Sequence, residues 1–379
     1  MSRRKFLKII TASGAIGLLG ACEHMPGSAI APWNGPESAV TDPRLRALSW
    51  ALLAPNPHNL QAWVADVRQS NVINLYIDAR RLLPATDPFS RQVLIGCGAF
   101  LETLCIAASA EGYRAETVLM PKGVYGKDGV DKRPFARVML HQDRSMKRDP
   151  LFTAIGQRRT NRGVYEPTPP DAGTLTSLAA ANVDAGISVS STRHPAQVAR
   201  LNAMTLAGYQ IEFGKTETWQ ESANTLRIGA QEVQDEPSGT PLLGMQIWWG
   251  RRLGMVNRAA LLDTKGIGPR TALQALEAVL TKGTSAWIWL SSADNSRIAQ
   301  IEVGRAYMRL CLQATQLGLA MHPNSQVLQE FPEMQGLLTQ VHGELGVPSP
   351  ARIQMLARIG YASATPATPR RPLSRLLLT

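Results

Sequence analysis

Two stretches of this 379-residue chain repeat one another at a fixed distance, and no other feature limits its fold as strongly. Gly98, Leu104, Cys105, Ile106, Ala108 and Gly112 align with Gly304, Leu310, Cys311, Leu312, Ala314 and Gly318, each pair 206 positions apart, and Arg91 with Arg297 keeps the same offset. Each stretch carries apolar residues at three- and four-residue spacing and closes on a glycine, the pattern of a helix with a C-terminal glycine. Each also follows a strand-like run, residues 72–77 in one case and 286–290 in the other. An offset shared at seven positions favours duplication over chance likeness between amphipathic helices. The expected body is therefore two related α+β halves, 41–150 and 151–379, joined near residues 145–155. With 44% hydrophobic and 18% charged residues, both halves can bury a core.

The ends of the chain read differently. Ser2-Arg3-Arg4-Lys5-Phe6-Leu7-Lys8, an apolar run over residues 9–19 and then Gly20-Ala21-Cys22 have the order of an export leader. The apolar run is shorter than the ~20 residues that span a bilayer. We expect residues 1–22 to be a twin-arginine signal with Cys22 as lipid acceptor, sending a folded chain through the export machinery to the periplasm or cell envelope, with inner and outer membrane both open. Residues 23–40, rich in Pro, Gly, Ser and Ala, are expected to form a flexible tether. The net charge of +11 includes Arg3, Arg4, Lys5 and Lys8, so about +7 remains without the leader, which suits an anionic ligand or membrane. No long basic run interleaves with aromatics, so nucleic acid is not an expected partner. Cys97, Cys105 and Cys311 form no C-x-x-C pair, and the six histidines have no metal-ligand spacing, so neither a disulfide framework nor a metal site is expected.

Three segments carry candidate chemistry. Ala54-Pro55-Asn56-Pro57-His58-Asn59-Leu60-Gln61-Ala62-Trp63 follows a helix expected over residues 45–53. Its prolines hold a loop open, and the amides of Asn59 and Gln61 suit the polar edge of a planar ligand. Arg158-Arg159-Thr160-Asn161-Arg162 gathers three guanidinium groups and a hydroxyl, a set suited to bidentate binding of phosphate. The third segment joins Arg358-Ile359-Gly360-Tyr361 to a Pro/Thr/Ala-rich extension that holds Arg370 and Arg371.

Together these segments resemble the flavin-dependent nitroreductase family, in particular its double-length members, over about residues 45–378. The Ala-Pro-x-x-x-Asn-x-Gln-x-Trp loop and the Arg-Arg-Thr-x-Arg segment are the most specific marks. Two positions depart from the family pattern: Ala62 stands where proline is usual, and Asn56 where serine is common. The resemblance implies a three-layer α-β-α sandwich with a central mixed sheet, and FMN bound between two halves. It implies that Arg158, Thr160 and Arg162, with neighbouring Arg159 and with Arg370, hold the FMN phosphate. It also implies that Pro55, Asn56, Pro57, Asn59 and Gln61 reach the flavin from the other half. Gly318 to Asn324 resembles the segment beside the reactive flavin edge, which adds Pro323, Asn324 and His322, the last as candidate proton donor. The Pro/Asn loop occurs only in the first half and the arginine cluster only at the opening of the second. One chain therefore has parts for one FMN site, as a pseudo-dimeric monomer.

The implied activity is two-electron exchange, in which a donor reduces FMN and a nitroaromatic- or quinone-type acceptor reoxidises it. Outside the cytoplasm NAD(P)H is not at hand, so the donor would be a membrane quinol or redox partner. The alternative is a flavin-sequestering protein without turnover. Residues 242–262, with Trp248, Trp249, Arg251 and Arg252, form either a packed helix or a lid, and a lid would favour that alternative.

Overall fold

The computed structural model describes residues 23–180 and 186–378; the export signal and Cys22, read from residues 1–22, lie outside the described residues. Strands β1 (Trp63–Asp66), β2 (Val72–Ile77), β3 (Tyr113–Leu119) and β4 (Ala136–Gln142) form an antiparallel sheet in the order β1-β2-β4-β3. In the second half come β5 (Ile187–Thr192), a short parallel ribbon of β6 (Leu226–Ile228) and β7 (Thr240–Leu242), then β8 (Trp287–Ser292), β9 (Ala320–Pro323) and β10 (Arg352–Gly360). Strands β5, β8, β10 and β9 pair antiparallel in that order. In chain order both sheets pair their first, second, fourth and third strands. Both carry a twenty-residue helix between the second and third, Arg91–Ala110 and Arg297–Gln316.

These two helices, which contain the repeat, pack on each other. A Cβ at Gly98 would lie 1.9 Å from the carbonyl oxygen of Ile301 and 2.9 Å from the Cα of Gly304. A Cβ at Gly304 would lie 2.0 Å from the carbonyl oxygen of Ile95 and 2.9 Å from the Cα of Gly98. Ile95 and Ile301 are themselves one repeat apart, so the contact is near-symmetric. Only glycine permits this approach, because any side chain would occupy the opposite backbone. The repeated arginines then cross between halves. Arg91 donates to the carbonyls of Gln354 (2.7 Å) and Leu328 (2.8 Å), and Arg297 to those of Phe89 (2.6 Å), Lys127 (2.8 Å) and Gly126 (2.9 Å). The Arg91–Ala110 helix is long and apolar enough to cross a membrane, but nearly all of it is buried, as a core helix.

The expected layers need correction. The second half does place its sheet between helices: Ile288, Leu290, Ala357 and Ile359 face the Arg297–Gln316 helix, while Trp287, Trp289, Ile353 and Leu356 face Pro195–Gly214 and Ile267–Lys282. The first sheet buries Ile73, Leu75, Ala136 and Val138 toward its own helix, but its other face shows Arg114, Glu116 and His141 to solvent. Three layers are thus present in the second half and not in the first. Nor is there one mixed sheet among the described residues, where parallel pairing enters the two antiparallel sheets only through isolated bridges, Ala65 to Leu377 and Thr160 to Met321.

Residues 23–40 are not a free tether. They include a helical turn, Gly27–Ile30, and a 3₁₀ turn, Ala31–Asn34, and Trp33 is buried where its indole N–H donates to the Thr368 carbonyl (2.8 Å). One large aromatic anchors a segment whose composition otherwise favours disorder. The 150/151 boundary also blurs. Ala154, Ile155 and Leu376 join the first core, and Ala65 and Leu376 share a backbone hydrogen bond of 2.9 Å, so the chain's last residues return to the first half.

Gly98→Ala is expected to destabilise the protein by at least about 3 kcal/mol in urea unfolding, through overpacking. Gly343→Ala, where the added Cβ meets nothing, should be neutral or stabilising by up to about 1 kcal/mol.

Candidate functional site

A cavity of about 350 Å³ lies where the halves meet, within the size range of small-molecule sites. One wall is the stripe Gln92, Ile95, Gly96 and Ala99 of the Arg91–Ala110 helix, at the spacing that puts residues on one face. The small side chains of Gly96 and Ala99 leave the space open. At the same two positions of the repeat the other helix carries Glu302 and Arg305. Arg305 bonds Glu102 (2.8 Å), which also takes Arg309 (2.8 Å), and Arg309 reaches Asp149 (3.0 Å). Long charged side chains therefore fill the place that small residues keep open on the cavity side.

The first half contributes the loop Pro55, Asn56, Pro57 and His58, which lines the cavity as expected. Asn56 Oδ1 accepts the Gln61 N–H (2.7 Å), so the asparagine shapes the loop from within. His58, Asn59 and Gln61 all have positive φ, 47°, 54° and 55°, a conformation that is strained without glycine. Side-chain bonds hold it. Asn59 Nδ2 donates to the carbonyls of Gly239 and Pro369 (3.0 Å each), and its Oδ1 accepts from Arg370 (2.6 Å). Gln61 Nε2 donates to the Pro237 carbonyl (3.0 Å) and its Oε1 accepts the Arg371 N–H (2.8 Å). These two amides do not line the cavity. The structure spends them on the loop and its supports, where we expected them to read a ligand.

From the second half, Thr160 and Arg162 reach the cavity. Arg162 has no hydrogen-bond or ion-pair partner among the described residues and is exposed where it faces the cavity. Arg158, Arg159 and Arg370 stand behind, outside the cavity lining. Arg158 and Arg370 both donate to the Leu53 carbonyl (3.0 and 3.3 Å), just past the helix Pro43–Ala51, where cations are favoured. Arg159 lies 3.8 Å over the Trp33 ring. A small void beside Arg158 and Arg159 meets the cavity at Thr160. Burial and then the cations of Arg158, Arg159 and Arg162 push the Arg370 pKa well down. The Nε atoms of Arg158 and Arg370 are buried without a partner.

His322 and Pro323 line the cavity, while Asn324 sits behind them and accepts the Tyr209 hydroxyl (2.7 Å). His322 Nδ1 lies 3.0 Å from an Arg358 guanidinium N–H and 3.2 Å from Asn324 Nδ2. Arginine only donates, so Nδ1 must accept and the ring proton sits on Nε2. Burial, with Arg358 and Arg162 nearby, drives the His322 pKa well down. It is a neutral hydrogen-bond donor here, not the charged acid that a histidine proton donor implies.

The sequence reading missed the opposite wall. Tyr209, Glu212 and Phe213 share one face of the Pro195–Gly214 helix, and Phe213 meets Trp219 edge-on at 4.9 Å. Glu212 is buried, held by Ser222 (2.8 Å) and Gln329 (3.0 Å), and desolvation raises its pKa to about 7. A lone glutamate on an apolar, aromatic stripe was the available signal.

The chain is similar to known proteins over most of its length. The sequence profile of the nitroreductase family matches residues 155–361. A Mycobacterium tuberculosis protein named as an NAD(P)H nitroreductase is 25% identical over 346 residues, 87% of this chain and 89% of its own length. A second from that organism, with the same activity in its name, is 26% identical over 357 residues, 90% and 97% of the two chains. A protein of Serratia sp., named likewise, is 24% identical over 356 residues, 88% and 92%. Among solved structures, the FMN-dependent nitroreductase NfnB from Mycobacterium smegmatis in complex with NADPH is 18% identical, with 59% of this chain and 94% of that one covered and a TM-score of 0.37. A Bacteroides fragilis nitroreductase with bound FMN is 14% identical, with 59% and 94% covered and a TM-score of 0.36.

Because the folded pKa of Glu212 lies above its ordinary value of 4.5, its contribution to stability is full below that value and is lost as pH rises through about 7. Glu212→Gln, which mimics the protonated carboxyl, is expected to remove a loss of up to about 3 kcal/mol between pH 5 and 8 in thermal unfolding. A variant with the parent's pH slope would contradict this.

Proposed function

This chain belongs to the nitroreductase family, and from that premise we propose that it is an FMN-dependent oxidoreductase transferring two electrons to nitroaromatic- or quinone-type acceptors. The observation that carries this reading is Arg162, which faces the cavity with donors to spare and has further arginines behind it. Arg162 faces the cavity with no partner among the described residues, and Arg158 and Arg370 stand behind it. The Arg162 guanidinium is exposed at the cavity, and a phosphate there supplies both the charge and the acceptor oxygens. The residues present therefore fit FMN, with Arg162 and Thr160 as direct contacts and Arg158 and Arg370 as the charge behind them.

When bound, FMN supplies the redox chemistry. The chain's own side chains do the rest. Gly96 and Ala99 leave room beside the Pro55–His58 loop, and Tyr209, Phe213 and Trp219 exclude water from the far wall. His322 offers an Nε2–H as a fixed hydrogen-bond donor. Glu212, near its midpoint at neutral pH, can hold or release a proton at the cavity wall.

The shared sheet order, the symmetric helix contact and the common offset support descent of the two halves from one duplicated unit. The Glu302–Arg305 filling opposite the cavity supports a single FMN in a pseudo-dimeric monomer. We also propose export by the twin-arginine route and a lipid on Cys22, from the leader alone. That location would replace NAD(P)H, the donor in the relatives' names, with a quinol or a redox partner in the envelope. Turnover is favoured over flavin storage because the helix Met245–Arg252, with Trp248 and Trp249, does not line the cavity and so is not a lid over it.

Purified protein should show flavin absorbance and release FMN on denaturation; the absence of both signals would end the proposal. NADH or a quinol should bleach it anaerobically and a quinone should restore it, whereas a storage protein would not cycle. Arg162→Ala is expected to weaken FMN binding about 10- to 150-fold, the loss of a charged hydrogen bond. Arg159→Ala should change it by no more than about threefold, as expected of a side chain outside the lining.

A further inference from the structure

The helix Met245–Arg252 turns an apolar edge outward. Met245, Trp249 and Leu253 stand at four-residue intervals and are 45%, 51% and 63% exposed, with Met255 close behind at 44%. Such spacing puts side chains along one side of a helix, and a cluster of large apolar groups in water marks a contact surface. Basic groups flank it. Arg252 stacks over the Trp248 ring at 4.1 Å and has no carboxylate partner among the described residues, while Arg251 pairs with Glu23 and Arg258 with Glu232. These charges and Trp248 line an open cleft of about 520 Å³ beside the helix.

The Glu23–Arg251 pair ties the first described residue to this helix. We propose that the Met245–Met255 edge is a membrane-docking surface that seats the protein on a bilayer containing anionic lipid. Trp, Leu and Met on one side with arginines at the margin is the composition of a helix lying in the lipid interface. Arg252, free of a carboxylate, is the cation left to meet lipid phosphates. Acyl chains at Cys22 would hold the protein at the membrane, and the docking surface would set which face lies against it. The proposal is independent of the flavin reading, and either can fail alone.

The test uses the full chain carrying Cys22→Ala, which removes lipid attachment, with vesicles of phosphatidylcholine with or without phosphatidylglycerol. Flotation should show binding to the phosphatidylglycerol vesicles. The triple variant Met245→Ser, Trp249→Ser, Leu253→Ser should lose at least about tenfold in affinity while its thermal unfolding is unchanged. Arg252→Gln should lose about fivefold, on the anionic vesicles only. Because the leader is common to parent and variants, a second measurement localises the contact: an environment-sensitive dye on Trp249→Cys should shift to the blue on vesicles. No vesicle binding, equal binding by the triple variant, or an unshifted dye would overturn the proposal. A chain that is dimeric in solution and becomes monomeric in the triple variant, with vesicle binding unaltered, would assign the edge to a second copy instead.

Discussion

The rest of the structure hangs on the backbone contact between Gly98 and Gly304. It brings the two long helices so close that neither position tolerates even a methyl group. At that distance Arg91 and Arg297 can each cross to carbonyls of the other half, and Glu102 can hold both Arg305 and Arg309. Buried guanidinium groups are worth keeping only where every acceptor is in place, and here tertiary structure supplies those acceptors from the partner half. Neither half could satisfy its own central arginine alone.

Near-symmetry in the scaffold makes the asymmetry at the cavity informative. Gly96 and Ala99 sit in the repeat where Glu302 and Arg305 sit, so one side of the helix pair stays open and the other is closed by an ion network. The extra helices of the second half then cover the open side and bring Tyr209, Glu212 and Phe213 to it. Charge follows the same division. Four arginines surround the cavity side, His58 is depressed to about 4 by burial and Arg162, and the one carboxyl in the wall is raised toward neutrality. The result is a pocket with positive potential and few fixed negative groups, which suits an anionic, planar, partly apolar ligand.

Much of this was legible in the sequence, and the failures have physical causes. The repeat announced two helices, each after a strand, and both helices begin on the repeated arginines; the run at 72–77 is β2, and that at 286–290 became β8 with its start one residue later. The loop at Pro55 and the segment at Thr160 do meet in one cavity. Side-chain direction was not legible. Asn59 and Gln61 carry the same amides whether they face a ligand or staple a strained loop, and Arg158 and Arg370 read as phosphate ligands because the Leu53 carbonyl that takes their donors is remote in sequence. Residues 23–40 have the composition of a linker, and only Trp33 distinguishes them from one. The aromatic wall was hidden because Tyr209 and Phe213 have the spacing of any core-facing helix.

One measurement bears most directly on a single FMN site formed between two halves of one chain. Purified protein would be weighed in solution by light scattering, and the FMN it releases on denaturation would be counted against protein. One FMN per monomeric chain is the predicted result. Two FMN per chain, or a flavin bound only by a dimer, would contradict it.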